Sequence, residues 1–205
     1  NEKYGFINLE EDIIIKPVYQ WAGPYSNGVA LVETVGGEFY YIDTFGNVAI
    51  KMKRSMGGFP FSEGLAPVMN EDTLKCGYMD LNGKMVIPVQ FGWTCDFFSE
   101  GLAAVSQNGK YGYIDNNGNF VIEPQFEYAF PFIRGVALVS IENEESVLIN
   151  REGTVIVDLK DYDGINIESY FLNSDLLTVQ SKDRFIYINR RSGEPVFEVA
   201  YKDGI

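Results

Sequence analysis

Hydrophobic residues along this chain form short runs that recur at a nearly constant interval. The clearest run combines aromatic residues with an isoleucine and ends on Asp or Asn, as in Lys110-Tyr-Gly-Tyr-Ile-Asp115. Its aliphatic position is occupied by Ile7, Ile42, Met79, Ile114, Ile149 and Ile188, which are separated by 35, 37, 35, 35 and 39 residues. An interval of this size is typical of tandem structural repeats.

A second run follows the same interval and reads Gly-x-Ala-x-Val. Its copies begin at Gly28, Gly64, Gly101 and Gly135, and a degenerate copy begins at Asp175. An aromatic residue stands three positions before each of these glycines. Two signatures that share one period argue against a chance similarity between segments.

A third run lies between the other two and consists of aliphatic residues followed by proline, as in Val121-Ile-Glu-Pro124. An aromatic residue follows it at Tyr19, Phe91 and Phe126. Aromatic and β-branched residues dominate all three runs, so each unit is predicted to contain three short strands. No segment has a convincing helical period, and residues 161–175 are the least regular part of the chain.

Turn signals separate the predicted strands. The position that ends the first run is occupied by Asp43, Asp80 and Asp115, and by Asn8, Asn150 and Asn189 in the other copies. Both side chains cap turns by accepting backbone hydrogen bonds, whereas only Asp can act as a base. Because Asn substitutes for Asp, capping is the preferred interpretation. Asn108-Gly109 is typical of a two-residue hairpin.

The Gly-x-Ala-x-Val strands are apolar on both faces, so they need cover on two sides. A unit of about 35 residues is too small to hold a core alone, and neighbouring units must supply the burial. We therefore expect an all-β fold of antiparallel units with three short strands each, arranged as a propeller-like ring or an open superhelical array. Burial on both faces of the strands favours the ring. The first signature occurs six times and the second five times, and this inequality favours an open array or a fragment.

The repeats are predicted to form a single domain over residues 1–205. Its units begin near residues 3, 38, 75, 110, 145 and 184, and the last units are degenerate. A terminal copy with a changed pattern is typical of a capping unit.

The combined pattern resembles the bacterial WG-repeat family. The clearest copies are residues 76–109 and 110–140, and the resemblance fades after about residue 145. In place of the Trp-Gly pair of the family name stand Tyr4-Gly5 and Tyr111-Gly112, which keep an aromatic ring beside a glycine. The resemblance implies a β-rich bacterial array without a common enzymatic activity, and no functional residues carry over from it.

The chain is strongly acidic, with 16 basic and 29 acidic residues and a formal net charge of −13. Such a field repels phosphate groups, which disfavours nucleic acids and anionic membranes as partners. The apolar runs are much shorter than the roughly 20 residues that a membrane helix needs, so no membrane insertion is expected. Because the chain begins with Asn1, it is consistent with a processed piece, and both export and a cytoplasmic location stay open.

The residue inventory argues against most enzymatic chemistry. The chain has no histidine, which excludes Ser-His and Cys-His catalytic pairs and the usual zinc sites. No phosphate-binding loop or dinucleotide motif is present, and we expect no cofactor. Cys76 and Cys95 are interpreted as buried thiols in preference to a disulfide, because secreted disulfide scaffolds are richer in cysteine.

Three aromatic residues at equivalent loop positions are the candidate ligand-binding residues. Trp21, Trp93 and Tyr128 each stand two positions after the aromatic residue that follows the proline run. Rings at such a spacing could stack on sugars or anchor peptides. The alternative interpretation is that they pack between repeats.

Two sets of polar residues are weaker candidates. Oxygen ligands for calcium could come from Asp80, Asn82, Asp115 and Asn117, but their turns lack the spacing of a full calcium loop, so no metal site is expected. One turn position carries Asn27, Glu63, Glu100 and Arg134 in successive units. A position that accepts both Glu and Arg indicates a solvated turn.

We predict a non-catalytic repeat module that presents a protein- or glycan-binding surface. The alternatives are a carbohydrate-active enzyme with a carboxylate pair and a passive structural or surface spacer. An enzyme should have a cleft with two carboxylates about 5 to 10 Å apart. An interaction module should instead have an exposed aromatic patch.

Overall fold

A computed structural model describes residues 2–142, 145–172 and 174–200. Within these residues the chain forms six antiparallel sheets and one short helix. The predicted all-β class with small antiparallel sheets is confirmed. The predicted single domain of 1–205 includes residues 1, 143–144, 173 and 201–205, which lie outside the described residues. The chain divides into two compact units, one of residues up to 98 with 116–118, the other of 99–115 with the residues from 119 onward. The single domain stays a prediction.

The first unit holds three of the sheets among its described residues. The first sheet pairs β1 (Tyr4–Ile7) with β2 (Ile13–Tyr19). The second sheet contains, in order, β3 (Trp21–Ser26), β4 (Val29–Glu33), β5 (Phe39–Asp43) and β6 (Val48–Lys51). The third contains β7 (Met56–Gly58), β8 (Leu65–Asn70), β9 (Lys75–Asp80) and β10 (Met85–Phe91).

The second unit holds the other three sheets of the described chain. The fourth sheet contains β11 (Ala103–Gln107), β12 (Lys110–Ile114) and β13 (Phe120–Phe126). The fifth contains β14 (Tyr128–Ala129), β15 (Ala137–Ser140), β16 (Ser146–Ile149) and β17 (Val155–Asp158). The sixth contains β18 (Gly164–Ile165), β19 (Leu176–Ser181), β20 (Arg184–Asn189) and β21 (Pro195–Ala200).

The three repeated runs are the last three strands of each complete sheet, but the sheets do not begin where the sequence units begin. In the third sheet, for example, the Gly-x-Ala-x-Val run is β8, the next first-signature run is β9, and the Val-Ile-Pro run is β10. Each sheet therefore combines parts of two sequence units. Four sheets of the described residues gain a further edge strand, β3, β7, β14 or β18. β7, β14 and β18 are only two or three residues long, too short to show an alternating pattern.

The irregular stretch of residues 161–175 contains a helix that the pattern did not predict. Helix α1 covers Ile167–Phe171, and five residues are too few for a helical period to be visible. Asn166 caps it, because its side chain accepts a hydrogen bond from the N–H of Ser169 at 2.8 Å. The helix places Tyr170 fully inside the second unit, where its hydroxyl accepts from the N–H of Leu138 at 3.1 Å.

Buried tyrosines in the second, third and fourth sheets donate to backbone carbonyls 17 or 18 residues further along the chain. Tyr78 is fully buried, and its hydroxyl donates to the backbone carbonyl of Asp96 at 2.7 Å. Equivalent bonds join Tyr41 to Phe59 at 2.6 Å and Tyr113 to Phe130 at 2.7 Å. Burial raises the pKa of the Tyr78 hydroxyl well above its ordinary value, so it remains a donor in neutral solution.

Serine side chains join the turn of one repeat to the backbone of the next. Ser62 donates to the carbonyl of Phe98 at 2.7 Å, and Ser99 donates to that of Phe132 at 2.6 Å. Ser26 makes the same bond to the carbonyl of Phe61. Each serine directly follows the aromatic residue of the second signature, so the bonds link equivalent points of successive repeats.

The turn position after each serine is also bonded, which corrects its interpretation as a merely solvated turn. The two carboxylate oxygens of Glu100 accept hydrogen bonds from the N–H groups of Arg134 at 2.5 Å and Gly135 at 2.9 Å. Asn27 accepts from the N–H of Gly64 at 2.9 Å in the same way.

At Arg134 the direction of this link is reversed. Its guanidinium donates to both carboxylate oxygens of Asp175, at 2.8 and 3.1 Å. The next copy begins with Asp175 in place of the usual glycine. In this unit the cationic side chain donates the hydrogen bonds, whereas in the earlier units the side chain accepts them. This explains why Glu and Arg occupy one repeat position.

The glycine of the Tyr-Gly pair is required by a close approach of backbone. A Cβ on Gly77 would lie 2.5 Å from the carbonyl oxygen of Ile87, and one on Gly112 would lie 2.5 Å from that of Ile122. These glycines face β10 and β13, which are seven residues long and cross with a shifted register. Where the glycine is replaced by Tyr40 or Val147, the facing strand is only four residues long.

We predict that Gly112→Ala lowers the free energy of unfolding by about 1 to 3 kcal/mol, because the added methyl group overlaps a backbone carbonyl that cannot rotate away. Urea denaturation measures the change. Gly164→Ala is the control, since a Cβ there meets no atom within 4 Å and should change stability by less than about 0.5 kcal/mol. Equal effects of the two substitutions would contradict the close approach.

Candidate functional site

The three candidate aromatic residues are all at the surface. The exposed fractions are 40% for Trp21, 66% for Trp93 and 47% for Tyr128. None of the three rings is buried in a core between repeats, although Tyr128 packs against neighbouring rings. The aromatic residues that precede them by two positions, such as Phe91 and Phe126, are buried. The surroundings of the three rings differ, although their repeat positions are equivalent.

Trp21 lies on the edge strand β3 and folds back over its own strand. A Cβ on Gly23 would lie 2.9 Å from the ring carbon Cη2 of Trp21. The glycine is thus needed to let the indole lie against the backbone. This ring covers backbone and has limited surface left for a ligand.

Tyr128 belongs to an aromatic stack. Its ring centroid lies 5.2 Å from that of Tyr111 and 5.0 Å from that of Phe130. It borders a cavity of about 440 Å³ whose lining mixes rings and aliphatic residues with polar side chains such as Lys160 and Asp163. Tyr128 is therefore partly structural and partly available to a ligand.

Trp93 borders a cavity of a different kind. The cavity has a volume of about 230 Å³ and is lined by Phe59, Pro67, Met69, Cys76, Trp93, Thr94 and Cys95. Phe97 stands nearby, with its ring 6.5 Å from that of Phe59 in an edge-on arrangement. Phe59 and Phe97 are exposed as well. We call the exposed set of Phe59, Trp93 and Phe97 the Trp93 surface, and its lining is apolar except for Thr94.

The two cysteines form a disulfide, so their interpretation as free thiols is wrong. Cys76 in β9 is bonded to Cys95, with a sequence separation of 19 residues. The low number of cysteines did not exclude a disulfide, because a single bridge can hold one irregular segment in a protein that is not cysteine-rich. Cys76 takes the repeat position of Tyr111, whose ring contacts that of Tyr128 in the same sequence unit. The disulfide thus stands where an aromatic contact stands one repeat later, and it holds the segment that carries Trp93.

The same segment contains a half-buried carboxylate, that of Asp96. Burial raises the pKa of Asp96 above its ordinary value, opposed by a hydrogen bond from the N–H of Phe97. Its backbone carbonyl is the acceptor for Tyr78 described above. The segment 93–98 is therefore fixed at two adjacent residues, by the disulfide of Cys95 and by the hydrogen bond from the Tyr78 hydroxyl to Asp96.

The recurring Asp and Asn residues hold turns, as predicted. Asp80 Oδ1 accepts hydrogen bonds from the N–H groups of Asn82 and Lys84, both at 2.9 Å. Asn150 accepts the equivalent bonds from Glu152 at 3.2 Å and Thr154 at 2.9 Å. The backbone N–H donors lower the pKa of Asp80, with the bond from Lys84 as the largest cause.

The weak calcium candidates occupy these same turns. Asp115 Oδ1 accepts from the N–H of Asn119 at 2.9 Å, so it is used in the same way as Asp80. Within the described ranges, no three Asp, Glu, Cys or His side chains converge as possible metal ligands. A role for Asn82 or Asn117 in binding calcium stays a prediction.

Sequence reasoning missed Phe59 and Phe97 as neighbours of Trp93. Phe97 occupies a repeat position where the other copies have Pro24, Pro60 and Pro131, and Phe59 comes from a different sequence unit. Only the pairing of β8 with β9 and the disulfide bring these residues to one place. Serine follows three of the four signature aromatic residues, at Ser26, Ser62 and Ser99. This recurrence was a local signal that could have revealed the links between repeats.

The repeat signature of this chain is that of a known protein family. The family profile described as WG containing repeat matches residues 4–37, 41–73, 77–111 and 111–144. The chain belongs to the WG-repeat family. No curated protein sequence matches this WG-repeat chain.

Solved structures similar to the WG-repeat chain confirm its propeller-like fold. The computationally designed Ika8 protein matches with a TM-score of 0.57 and 8% identity, over 87% of this chain and 61% of that one. Hsv2p from Kluyveromyces lactis matches with a TM-score of 0.55 and 14% identity, over 84% of this chain and 60% of that one. The WG-repeat chain thus spans about three fifths of these structures, and identities this low concern the fold alone.

The fold and family identify the chain as a repeat scaffold. In the part of the chain that the structure describes, no helix has the length and hydrophobicity to cross a membrane.

We predict that removing the disulfide, by reduction or by the double variant Cys76→Ser with Cys95→Ser, lowers the free energy of unfolding by about 3 kcal/mol, the loop-closure effect for a loop of this length. Urea denaturation with and without a reductant measures it. The double serine variant is the control, because its stability should not respond to the reductant. An unchanged midpoint for the reduced wild-type chain would contradict the bond's contribution.

We predict that Asp80 contributes to acid unfolding of the WG-repeat chain. Its pKa is lowered in the folded state, so its stabilisation is present above the ordinary carboxyl pKa of about 4 and is lost as the pH falls through the lower folded value. Asp80→Asn keeps the turn, as Asn150 does, but cannot titrate. Chemical denaturation between pH 7 and pH 2 should give a flatter profile for the variant, and parallel profiles would refute this contribution.

Proposed function

We propose that this WG-repeat chain is a non-catalytic scaffold that binds a protein partner through the Trp93 surface. The observation that carries the proposal is the 66% exposure of a tryptophan beside an apolar cavity. A contiguous exposed apolar patch on a folded domain marks an interaction site, and Phe59, Trp93 and Phe97 are all exposed here. Tryptophan is also among the residues that contribute most to protein interfaces.

The segment that carries Trp93 is restrained before any partner arrives. Cys95 ties it to β9, and the carbonyl of Asp96 accepts the Tyr78 hydroxyl. A ring held in place loses less conformational entropy on binding than a ring on a mobile loop. The restraint therefore supports an anchor role for Trp93 in preference to a purely structural one.

The lining of the cavity favours a protein over a glycan. Sugar sites combine an aromatic face with several polar groups that bind hydroxyls. Around Trp93 the lining side chains are aromatic, aliphatic or sulfur-containing, with Thr94 as the polar exception. An apolar side chain of a protein partner fits this chemistry better than a sugar does.

A glycan is the second candidate ligand, and the cavity beside Tyr128 favours it. That lining combines the Tyr128 and Tyr162 rings with Glu145, Lys160 and Asp163. For catalysis, the recurring acids offer little support, because Asp80 and its equivalents serve as turn caps. We therefore regard the chain as a binding module and not as a carbohydrate-active enzyme.

We predict that Trp93→Ala weakens binding of selected peptide ligands by at least about tenfold, because truncating a central aromatic anchor typically costs more than 1 kcal/mol. Twelve-residue peptides selected by phage display on the wild-type chain serve as probes, with affinity measured by fluorescence anisotropy. A glycan array is probed with the same proteins.

Trp21→Ala is the matched control, since it removes an exposed tryptophan at an equivalent repeat position. It should leave peptide affinity unchanged, and the melting temperature of Trp93→Ala should stay within about 2 °C of wild type because the ring is exposed. A large loss of stability would assign Trp93 to the core. If Trp93 were required for binding to the glycan array, the ligand of this surface would be a sugar and not a protein.

A further inference from the structure

Methionine is concentrated at one place in the first unit. The chain contains five methionines, and Met52, Met56, Met79 and Met85 line one cavity of about 300 Å³. The fifth, Met69, lines the cavity beside Trp93 instead. We call the first of these the methionine cleft. It lies among residues of β6, β7, β9 and β10, and therefore between two neighbouring sheets of one unit.

The methionine cleft is open to solvent on one side. Met79 is buried at its base, whereas Met85 is exposed and Met52 and Met56 are half-buried. Methionine is unbranched and polarizable, so a group of methionines adapts its shape to different apolar side chains. Such surfaces are used by proteins that bind amphipathic segments.

The rim of the cleft is basic, in contrast to the chain as a whole. Lys51 and Lys53 line it. An adjoining cavity of about 490 Å³ shares Lys51, Met52 and Lys53 and adds Arg54, together with Glu38 and Glu71. Lys51 is paired with Glu38 at 3.1 Å. In a chain of net charge −13, three cations within four residues form a local positive site beside an apolar one.

We propose that the methionine cleft binds an acidic amphipathic peptide segment of a partner protein. The apolar side chains of that segment enter among the methionines, and its carboxylates face Lys53 and Arg54. Long-range electrostatics alone would give the opposite preference, because an acidic scaffold repels acidic peptides and attracts basic ones. A preference for the acidic peptide therefore reports the local site and not the overall charge.

The proposal is tested with two fluorescein-labelled sixteen-residue peptides that share one leucine pattern. One carries Glu at its polar positions, and the other carries Lys at the same positions. Fluorescence anisotropy should show at least tenfold tighter binding of the acidic peptide, with affinity falling as salt screens the contacts to the rim. Tighter binding of the basic peptide, or no binding of either, would overturn the proposal.

Variants locate the site without disturbing the core. Lys53→Glu combined with Arg54→Glu should weaken the acidic peptide at least tenfold, since both side chains are exposed and lie on the rim. Lys16→Glu with Lys3→Glu is the control, because it makes the same change in net charge at exposed positions of the first sheet. Met85→Ser should weaken binding at least fivefold by removing the exposed part of the apolar lining. Equal effects of the rim and control variants would overturn the proposal.

Methionine methyl NMR separates this proposal from the one for the Trp93 surface. With [¹³C-methyl]methionine, the acidic peptide should shift the signals of Met52, Met56, Met79 and Met85 and leave that of Met69 unchanged. If only the Met69 signal shifted, the peptide would bind at the Trp93 surface, and the methionine cleft would be ruled out as its site. Peptides whose binding requires Trp93 should shift the Met69 signal and leave the signals of Met52, Met56, Met79 and Met85 unchanged.

Discussion

Hydrogen bonds between side chains and backbone groups further along the chain recur throughout the repeats of this protein. Tyr78 reaches the carbonyl of Asp96, Ser62 reaches that of Phe98, and Glu100 accepts from the N–H of Gly135. Backbone groups are present whatever residue occupies a position, so these bonds survive sequence divergence between copies. Small sheets that could not bury a core alone gain burial from their neighbours through such links. Where the pattern changes, a bond between the same repeat positions is still present, but the side chain of Arg134 is now the donor and Asp175 is the acceptor.

The same arrangement leaves the loop residues free to diverge. Trp21, Trp93 and Tyr128 share one repeat position, but Trp21 lies over Gly23, Tyr128 stacks with Tyr111, and Trp93 borders an apolar cavity. Trp21 and Tyr128 contact residues of their own sequence units, whereas the cavity beside Trp93 is lined partly by Phe59 and other residues of the preceding unit. A repeat scaffold can thus keep one framework and present a different surface on each sheet.

Two surfaces of the first unit differ in chemistry. The Trp93 surface is apolar and held by a disulfide, whereas the methionine cleft is adaptable and has a basic rim. A rigid aromatic anchor favours a preformed complementary partner. A methionine-lined site tolerates more variation in what it binds. Disulfides persist in oxidising compartments, so the rigidity of the first surface also depends on where the protein resides.

The amino-acid sequence by itself determined the repeat period, the all-β class, the three main strands of each sheet and the capped turns. These features rest on local chemistry: the alternation of side chains, the β-propensity of aromatic residues, and Asp or Asn at turn starts. The glycine of the Tyr-Gly pair is marked in the sequence, but its reason, the approach of the Ile122 carbonyl to Gly112, is visible only in the fold.

Tertiary structure alone decided which distant residues meet. The bridge between Cys76 and Cys95 joins two residues that are 19 positions apart. The grouping of Phe59 with Phe97 and the convergence of four methionines join residues from different sequence units. The short edge strands and helix α1 were likewise too brief to leave a periodic signal. Contacts of this kind depend on how strands pair and sheets pack, and no local pattern encodes them.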